Sequence, residues 1–364
     1  MYRLVMIVLI SSIGFLSSKN FEFINVNEFK SDLGNIYSSA YSKSNHSIFF
    51  TRINSKKIYK YSLFDSTISI LDVDSLVLPL YNRKSFTLME PYRKDDQSKA
   101  SHFCINPNSK DVFLAISYLE LIEFSTILNK EKNQLDTSLG FGHALVFKNL
   151  TNENKSIIPK YNLKSILYGF PILVDDEFLI GSSDNDNYLY KLNINTNQVT
   201  SLLSTQKIEN NLNLKYNNKM ISKLKYISDS TVLCYSIGSL KPIVFNVLSG
   251  KLKMIEDELI DSCFGSNTIK NNRLVFLEGV EIFEDKLYFI IVTKDLTLQK
   301  LLNIDIIITD KNLNKINKIE KSLNTGNYQN LKLIEGIDSK YLYFIKDNQD
   351  YKQILKLDLA NLSN

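Results

Sequence analysis

Arginine is scarce in this chain, five among 364 residues, yet Arg83 and Arg93 fall in one short stretch with Tyr81, Phe86, Glu90 and Tyr92. A guanidinium fork grips a carboxylate or phosphate through two parallel N–H donors, and a flat ring offers a platform to a sugar or peptide. Arg83, Tyr92 and Arg93 are therefore candidate ligand-binding residues, with His102 just beyond them as a fourth. The same stretch also fits a lid that packs its Tyr and Phe rings on a scaffold and leaves its charges in water, and that reading stands beside the first. His102 and His143 could approach one another as a metal pair, but the signal is weak, and no metal or cofactor is assigned.

The remaining motifs carry less chemistry. Asp184-Asn185-Asp186-Asn187 has the alternate carboxylates of a calcium loop without the following glycine or the distal glutamate, so it reads as a polar turn. Gly140-Phe141-Gly142 lacks a third glycine and a helix pattern after it, which removes the usual means of cradling phosphate. Asp175-Asp176 reads as a solvated turn before a strand, and no G-x-S-x-G occurs. Catalytic residues are therefore not named. Three cysteines, Cys104, Cys234 and Cys263, are too few and too scattered for a disulfide framework, and their odd number leaves at least one thiol free. Cys104 and Cys234 read as small buried strand residues.

The elements that must position these residues recur. A short apolar strand, a turn and a second strand of Tyr, Ile and Leu with polar residues between them appear six times, as in Ser47–Phe50 with Lys57–Tyr61 and Leu342–Phe344 with Gln353–Leu357. The landmarks Ile48, Val112, Phe178, Val232, Leu287 and Leu342 are spaced by 64, 66, 54, 55 and 55 residues, which suits four strands per repeat. The expected fold is all-β, a six-bladed β-propeller of four-stranded antiparallel blades over residues 19–364. The last repeat ends after its third strand, whereas Phe21–Phe29 alternates apolar and polar residues as a half-buried strand does. This N-terminal strand is expected to complete the last blade and close the ring. Two stretches exceed the regular spacing, residues 74–99 between the first and second blades and residues 118–142 between two strands of the second. Propeller connectivity sends both to the same face as loops, the usual address of a binding site on a rigid scaffold.

Composition limits the classes further. Hydrophobic residues make up 44% of the chain, Phe and Tyr number 21 and 20, and the net charge of +4 is spread over interleaved Lys, Asp and Glu. The material suffices for a core, and there is no basic stripe for nucleic acid. Residues 1–18 carry a charged start, the apolar run Leu4–Leu16 and a polar exit, the pattern of a secretory signal peptide. That run is too short for a spanning helix, so no stable membrane span is expected after cleavage. Export to the periplasm or the extracellular space follows, with a monomer as the expected state.

The six repeats, the export signal, the absence of Trp and strands such as Asn187–Asn193 resemble the TolB-like six-bladed β-propeller proteins exported by Bacteroidota-type bacteria. The resemblance covers roughly residues 21–364, rests on architecture more than on a diagnostic motif, and implies a periplasmic or surface protein. It carries no catalytic residue over. The function expected is binding or scaffolding of a protein, peptide or carbohydrate on the face of residues 74–99 and 118–142. The alternative is a metal-assisted hydrolase or lyase at the axial mouth, which needs carboxylates and Asn converging from several inner strands.

Overall fold

The computed structural model describes residues 24–30, 36–52, 57–72, 98–105, 112–129, 134–151, 156–157, 172–174, 177–181, 187–193, 199–204, 223–228, 230–236, 240–264, 268–298, 300–322, 331–338, 341–347 and 351–359. After β1 (Ile24–Lys30), the first unit holds β2 (Ile36–Ser42), β3 (Ser47–Arg52), β4 (Lys57–Ser62) and β5 (Ile68–Asp72). The second holds β6 (Ser98–Ile105), β7 (Val112–Asn129), β8 (Gln134–Asn149) and β9 (Ser156–Ile157). Then come β10 (Ile172–Val174), β11 (Glu177–Gly181), β12 (Asn187–Asn193) and β13 (Val199–Ser204), followed by β14 (Lys223–Ser228), β15 (Thr231–Ser236), β16 (Leu240–Asn246) and β17 (Leu252–Met254). The helical turn α1 (Glu258–Asp261) leads to β18 (Ile269–Lys270), β19 (Arg273–Phe283), β20 (Lys286–Asp295), β21 (Lys300–Asp310) and β22 (Lys315–Ser322). The chain ends in β23 (Leu331–Asp338), β24 (Tyr341–Asp347) and β25 (Tyr351–Asp358).

The architecture is an all-β, propeller-like arrangement of antiparallel four-stranded sheets, each a meander in sequence order, with the short β18 added to one of them. One sheet runs β1-β25-β24-β23-β2-β3-β4-β5, and its two halves meet at a single parallel bridge between Ala40 and Glu335. The N-terminal strand does complete the last unit: β1 lies antiparallel to β25, from Ile24 opposite Lys356 to Lys30 opposite Tyr351. The first strands of the units neighbour one another in the order β2, β6, β10, β14, β19, β23 and back to β2.

Period-two alternation explains why the strands are so apolar. On β20, Tyr288, Ile290 and Val292 pack with Leu342 and Phe344 of the next unit, while Leu287, Phe289 and Ile291 pack with Leu233 and Tyr235 of the preceding one. Both faces of a unit are core, so Leu287–Val292 reads as one unbroken apolar run. The first and last units are sealed likewise, with Tyr41 stacked on Tyr343 at a centroid separation of 5.0 Å.

A bulge interrupts the first strand of five units: between Ile36 and Ser38, Ala100 and His102, Tyr226 and Ser228, Leu277 and Gly279, and Ile334 and Ile337. The repeated signature Leu277-Glu278-Gly279-Val280-Glu281 and Ile334-Glu335-Gly336-Ile337-Asp338 marks two of these bulges. Gly336 has a φ of 105°, a conformation open mainly to glycine. A Cβ at Gly279 would lie 2.6 Å from Leu333 Cδ2, so an alanine there must displace a buried side chain of the next unit. Gly279→Ala is expected to cost about 1–3 kcal/mol in urea denaturation. The loss should shrink in a Leu333→Ala background, where the obstructing atoms are gone; equal losses in the two backgrounds would show that the contact does not set the requirement.

Candidate functional site

His102 sits on the first strand of the second unit. The β6–β7 ladder runs from Ser98 opposite Tyr118 to Ile105 opposite Val112, with the bulge after Ala100 setting His102 opposite Ala115. The chain therefore enters β6 at Ser98, the end beyond which β7 continues past its partner. Arg83, Tyr92 and Arg93 lie outside the described residues, as do Asp175, Asp176 and Asp184–Asp186. Ser98 and Lys99 are already strand.

The insertion at 118–142 is not a loop. It is strand almost throughout, as β7 and β8 pair without interruption from Phe113 opposite Asn149 to Asn129 opposite Gln134. Among the described residues, a third strand accompanies this hairpin only along the β6 ladder and at Phe147–Ile157 and Lys148–Ser156. Residues 119–129 and 134–143 form a two-stranded ribbon, about 35 Å long at the usual rise per strand residue. The separation of the two histidines follows from this. Ala115, opposite His102, lies opposite Phe147, and His143 is four residues further along β8. Two strand spacings and four residues of rise hold the backbones at positions 102 and 143 roughly 16 Å apart, so they form no metal pair.

The register of the ribbon sorts its residues by face. On one face lie the pairs Leu121–Phe141, Phe124–Leu139, Thr126–Thr137 and Leu128–Leu135; on the other lie Glu120–Gly142, Glu123–Gly140, Ser125–Ser138, Ile127–Asp136 and Asn129–Gln134. The sorting depends on the bulge between Leu121 and Glu123. Were Ile122 paired within the ladder, the register of Leu121 with Phe141 would continue and set Phe124 opposite Ser138 and Leu128 opposite Gln134. Gly140 and Gly142 are strand residues opposite Glu123 and Glu120, far from the geometry of a phosphate loop.

At the inner strands, acidic side chains staple neighbouring units. Glu281 accepts from Lys225 Nζ of the preceding unit at 2.8 Å and from the Gly336 N–H of the following one at 3.2 Å. Glu278 accepts from the Leu333 N–H at 3.0 Å, and Val280 N–H donates to the Tyr235 hydroxyl at 3.3 Å. Across the junction of the chain ends, Ser39 Oγ donates to the Leu333 carbonyl and Lys332 Nζ to the Ile36 carbonyl. Glu281 is a buried residue, only 4% exposed, and its carboxylate serves its neighbours' main chain and ammonium group. Among the described residues no group of three or more His, Cys, Asp or Glu is arranged to hold a metal ion.

Cys234 and Cys263 are free buried thiols. Burial, assisted by the nearby Asp305 carboxylate, pushes the Cys263 thiol up to about 12, so it carries no thiolate for nucleophilic chemistry near neutral pH. Cys234 is shifted upward by burial as well. Sequence reasoning missed the ribbon and the Glu281 staple. The ribbon's signal was present in the alternation Leu135, Thr137, Leu139, Phe141, whereas the staple depends on main-chain groups of a neighbouring unit, which no local pattern encodes.

No family model and no curated protein sequence matches the chain. Solved structures with a related arrangement include a nidogen/laminin complex, 10% identical over 78% of this chain and 79% of that one with a TM-score of 0.40. Kuenenia stuttgartiensis hydrazine synthase is 11% identical over 89% and 77%, with a TM-score of 0.43. A Bacteroides thetaiotaomicron VPI-5482 protein of unknown function is 10% identical over 94% and 73%, with a TM-score of 0.47.

Proposed function

We propose that this chain is an exported, TolB-like β-propeller of six blades that works as a binding or scaffolding protein, with recognition on the face of the second blade where residues 74–97 enter and the β7–β8 ribbon leaves. The cyclic order of the six first strands supports the blade count. The apolar run at Leu4–Leu16 supports export. The observation that carries the site is the register of Ser98 with Tyr118, which sets the entry of the arginine-bearing stretch and the departure of the ribbon at one end of one sheet. Binding is favoured over metal-assisted hydrolysis because the inner-strand carboxylates of Glu278 and Glu281 are engaged in stapling units together.

The ligand this site suits is a peptide or carbohydrate bearing a carboxylate, held by Arg83 and Arg93 with Tyr92 as a platform and His102 at the rim. An array of acidic peptides and uronic-acid glycans probed with the purified protein tests this. Arg83→Ala with Arg93→Ala should weaken any hit by roughly tenfold to over a hundredfold at an unchanged melting temperature, the loss of charge-assisted hydrogen bonds. Hits that bind the double variant as well as the native protein would move recognition elsewhere.

A further inference from the structure

We propose that the end of the fifth unit at its β20–β21 turn seats the protein on an anionic lipid surface. Ile269 and Leu298 enter the boundary of the acyl chains there, and Lys270, Arg273, Lys294 and Lys300 meet the headgroups. The inference goes beyond the ligand site above and uses none of its residues.

Three strands of this unit outrun the fourth. The last pair of β22 is Ser322 opposite Asn303, whereas β19, β20 and β21 continue for two further rows, Leu274–Lys294–Leu301 and Arg273–Asp295–Lys300. On the inner side β18 extends both rows with Ile269 and Lys270, through a tight turn in which Asn271 and Asn272 take φ values of 52° and 59°. A second turn is tied to the first, since Leu296 N–H donates to the Asn272 carbonyl at 2.9 Å. Asp295 Oδ1 closes this second turn by accepting from the N–H groups of Thr297 and Leu298 at 2.8 and 2.9 Å. The two turns form one braced end that projects past the outer strand.

Ile269 and Leu298 are each 58% exposed on that end, roughly 15 Å apart by strand spacing and rise. Lys270 and Arg273 are exposed, Lys294 and Lys300 are half-buried, and among the described residues none of the four makes an ion pair. The one carboxylate in these rows, Asp295, is engaged by its own turn. Four cations around two protruding aliphatic side chains complement a surface with anionic headgroups above an apolar layer, where burial of the aliphatics and attraction of the charges act together. Asn271, Asn272 and Thr297 separate the two aliphatics, which denies a protein partner a contiguous dry core; acyl chains close round each side chain singly. Exposed apolar residues at the opposite ends of the sheets lack the cations. Phe64, 90% exposed, adjoins the Asp65 carboxylate, and Leu248, 85% exposed, sits in a turn with one lysine, Lys251.

Flotation with unilamellar vesicles tests the proposal on the chain from residue 19, which keeps every described residue. Phosphatidylcholine vesicles containing about 30% phosphatidylglycerol should bind it in about 50 mM salt, and binding should fall at least about tenfold in about 500 mM salt or on pure phosphatidylcholine. Lys270→Gln with Lys300→Gln should weaken binding at least about tenfold, and Ile269→Ser with Leu298→Ser by a similar factor, both at an unchanged melting temperature. Phe64→Ser with Leu248→Ser, at the opposite ends of the sheets, should bind as the native chain does. Should the lysine pair fail to fold, the serine pair, at two positions more than half in water, carries the test. The proposal is overturned if the native chain ignores anionic vesicles at low salt, if both patch variants bind as well as it does, or if the Phe64 and Leu248 pair causes the loss instead. Capture of poly-glutamate by this end without vesicle binding would likewise overturn it, assigning the patch to an acidic protein partner.

Discussion

Replacing Glu281 by alanine should destabilise the fold more than the loss of any surface charge, because one carboxylate ties three consecutive units. It lies on β19, takes a 2.8 Å ion pair from Lys225 on β14 and a 3.2 Å hydrogen bond from the Gly336 N–H on β23. The side chains of Lys225 and Glu281 are 16% and 6% exposed, so neither is fully screened by water. Removing one partner of such a pair takes the carboxylate from a poorly hydrated ammonium and the acceptor from a main-chain donor, at a cost of about 3 kcal/mol or more. Glu281→Gln keeps an oxygen for Gly336 and loses only the charge, so a smaller loss is expected. Urea denaturation at neutral pH orders the variants: native above Glu281→Gln, and Glu281→Gln above Glu281→Ala. A native-like midpoint for Glu281→Ala would mean that the units hold together by apolar packing alone.

The unit rhythm was legible because propeller strands are buried on both faces: Leu287–Val292 serves two cores at once and so stands out as an unbroken apolar run. Ring closure was legible for a different reason. The last repeat lacked a fourth strand and Phe21–Phe29 alternated as one, and β1 spans Ile24–Lys30. The ribbon was misread as a loop since its period breaks at Ile122 and its polar face carries Gly140 and Gly142, residues that suggest turns. A bulge shifts the phase of alternation by one residue, so a strand that is continuous in space looks irregular in sequence. The Glu-Gly signature of the fifth and sixth units was visible as a repeat. That its second acid in the fifth unit is a buried inter-unit staple depends on the Gly336 N–H, 55 residues away.

Deleting β1 is expected to produce the second large effect, and it tests how the ring closes. Residues 24–30 pair along β25 from Lys356 to Tyr351, and Val26 packs on the cluster that seals the first unit against the last through Ile36, Tyr343 and Ile354. Without them β25 becomes a bare edge, with a row of unpaired N–H and C=O groups able to recruit another chain. The seam between the chain ends would then lose Val26 and keep the apolar cluster of Ile36, Tyr41, Ile334 and Tyr343, the Ala40–Glu335 bridge and the Ser39 and Lys332 hydrogen bonds, with β25 of the same cluster no longer covered. A chain lacking residues 1–31 should melt on the order of 10 °C below one lacking only residues 1–18, the size of shift that several kcal/mol produces in a large domain, or should aggregate on heating. Val26→Asp, which leaves the β1 backbone free to pair while placing a carboxylate against the cluster, should give an intermediate loss. Equal melting of the two truncations would show that β1 is an ornament on a ring already closed by its inner strands.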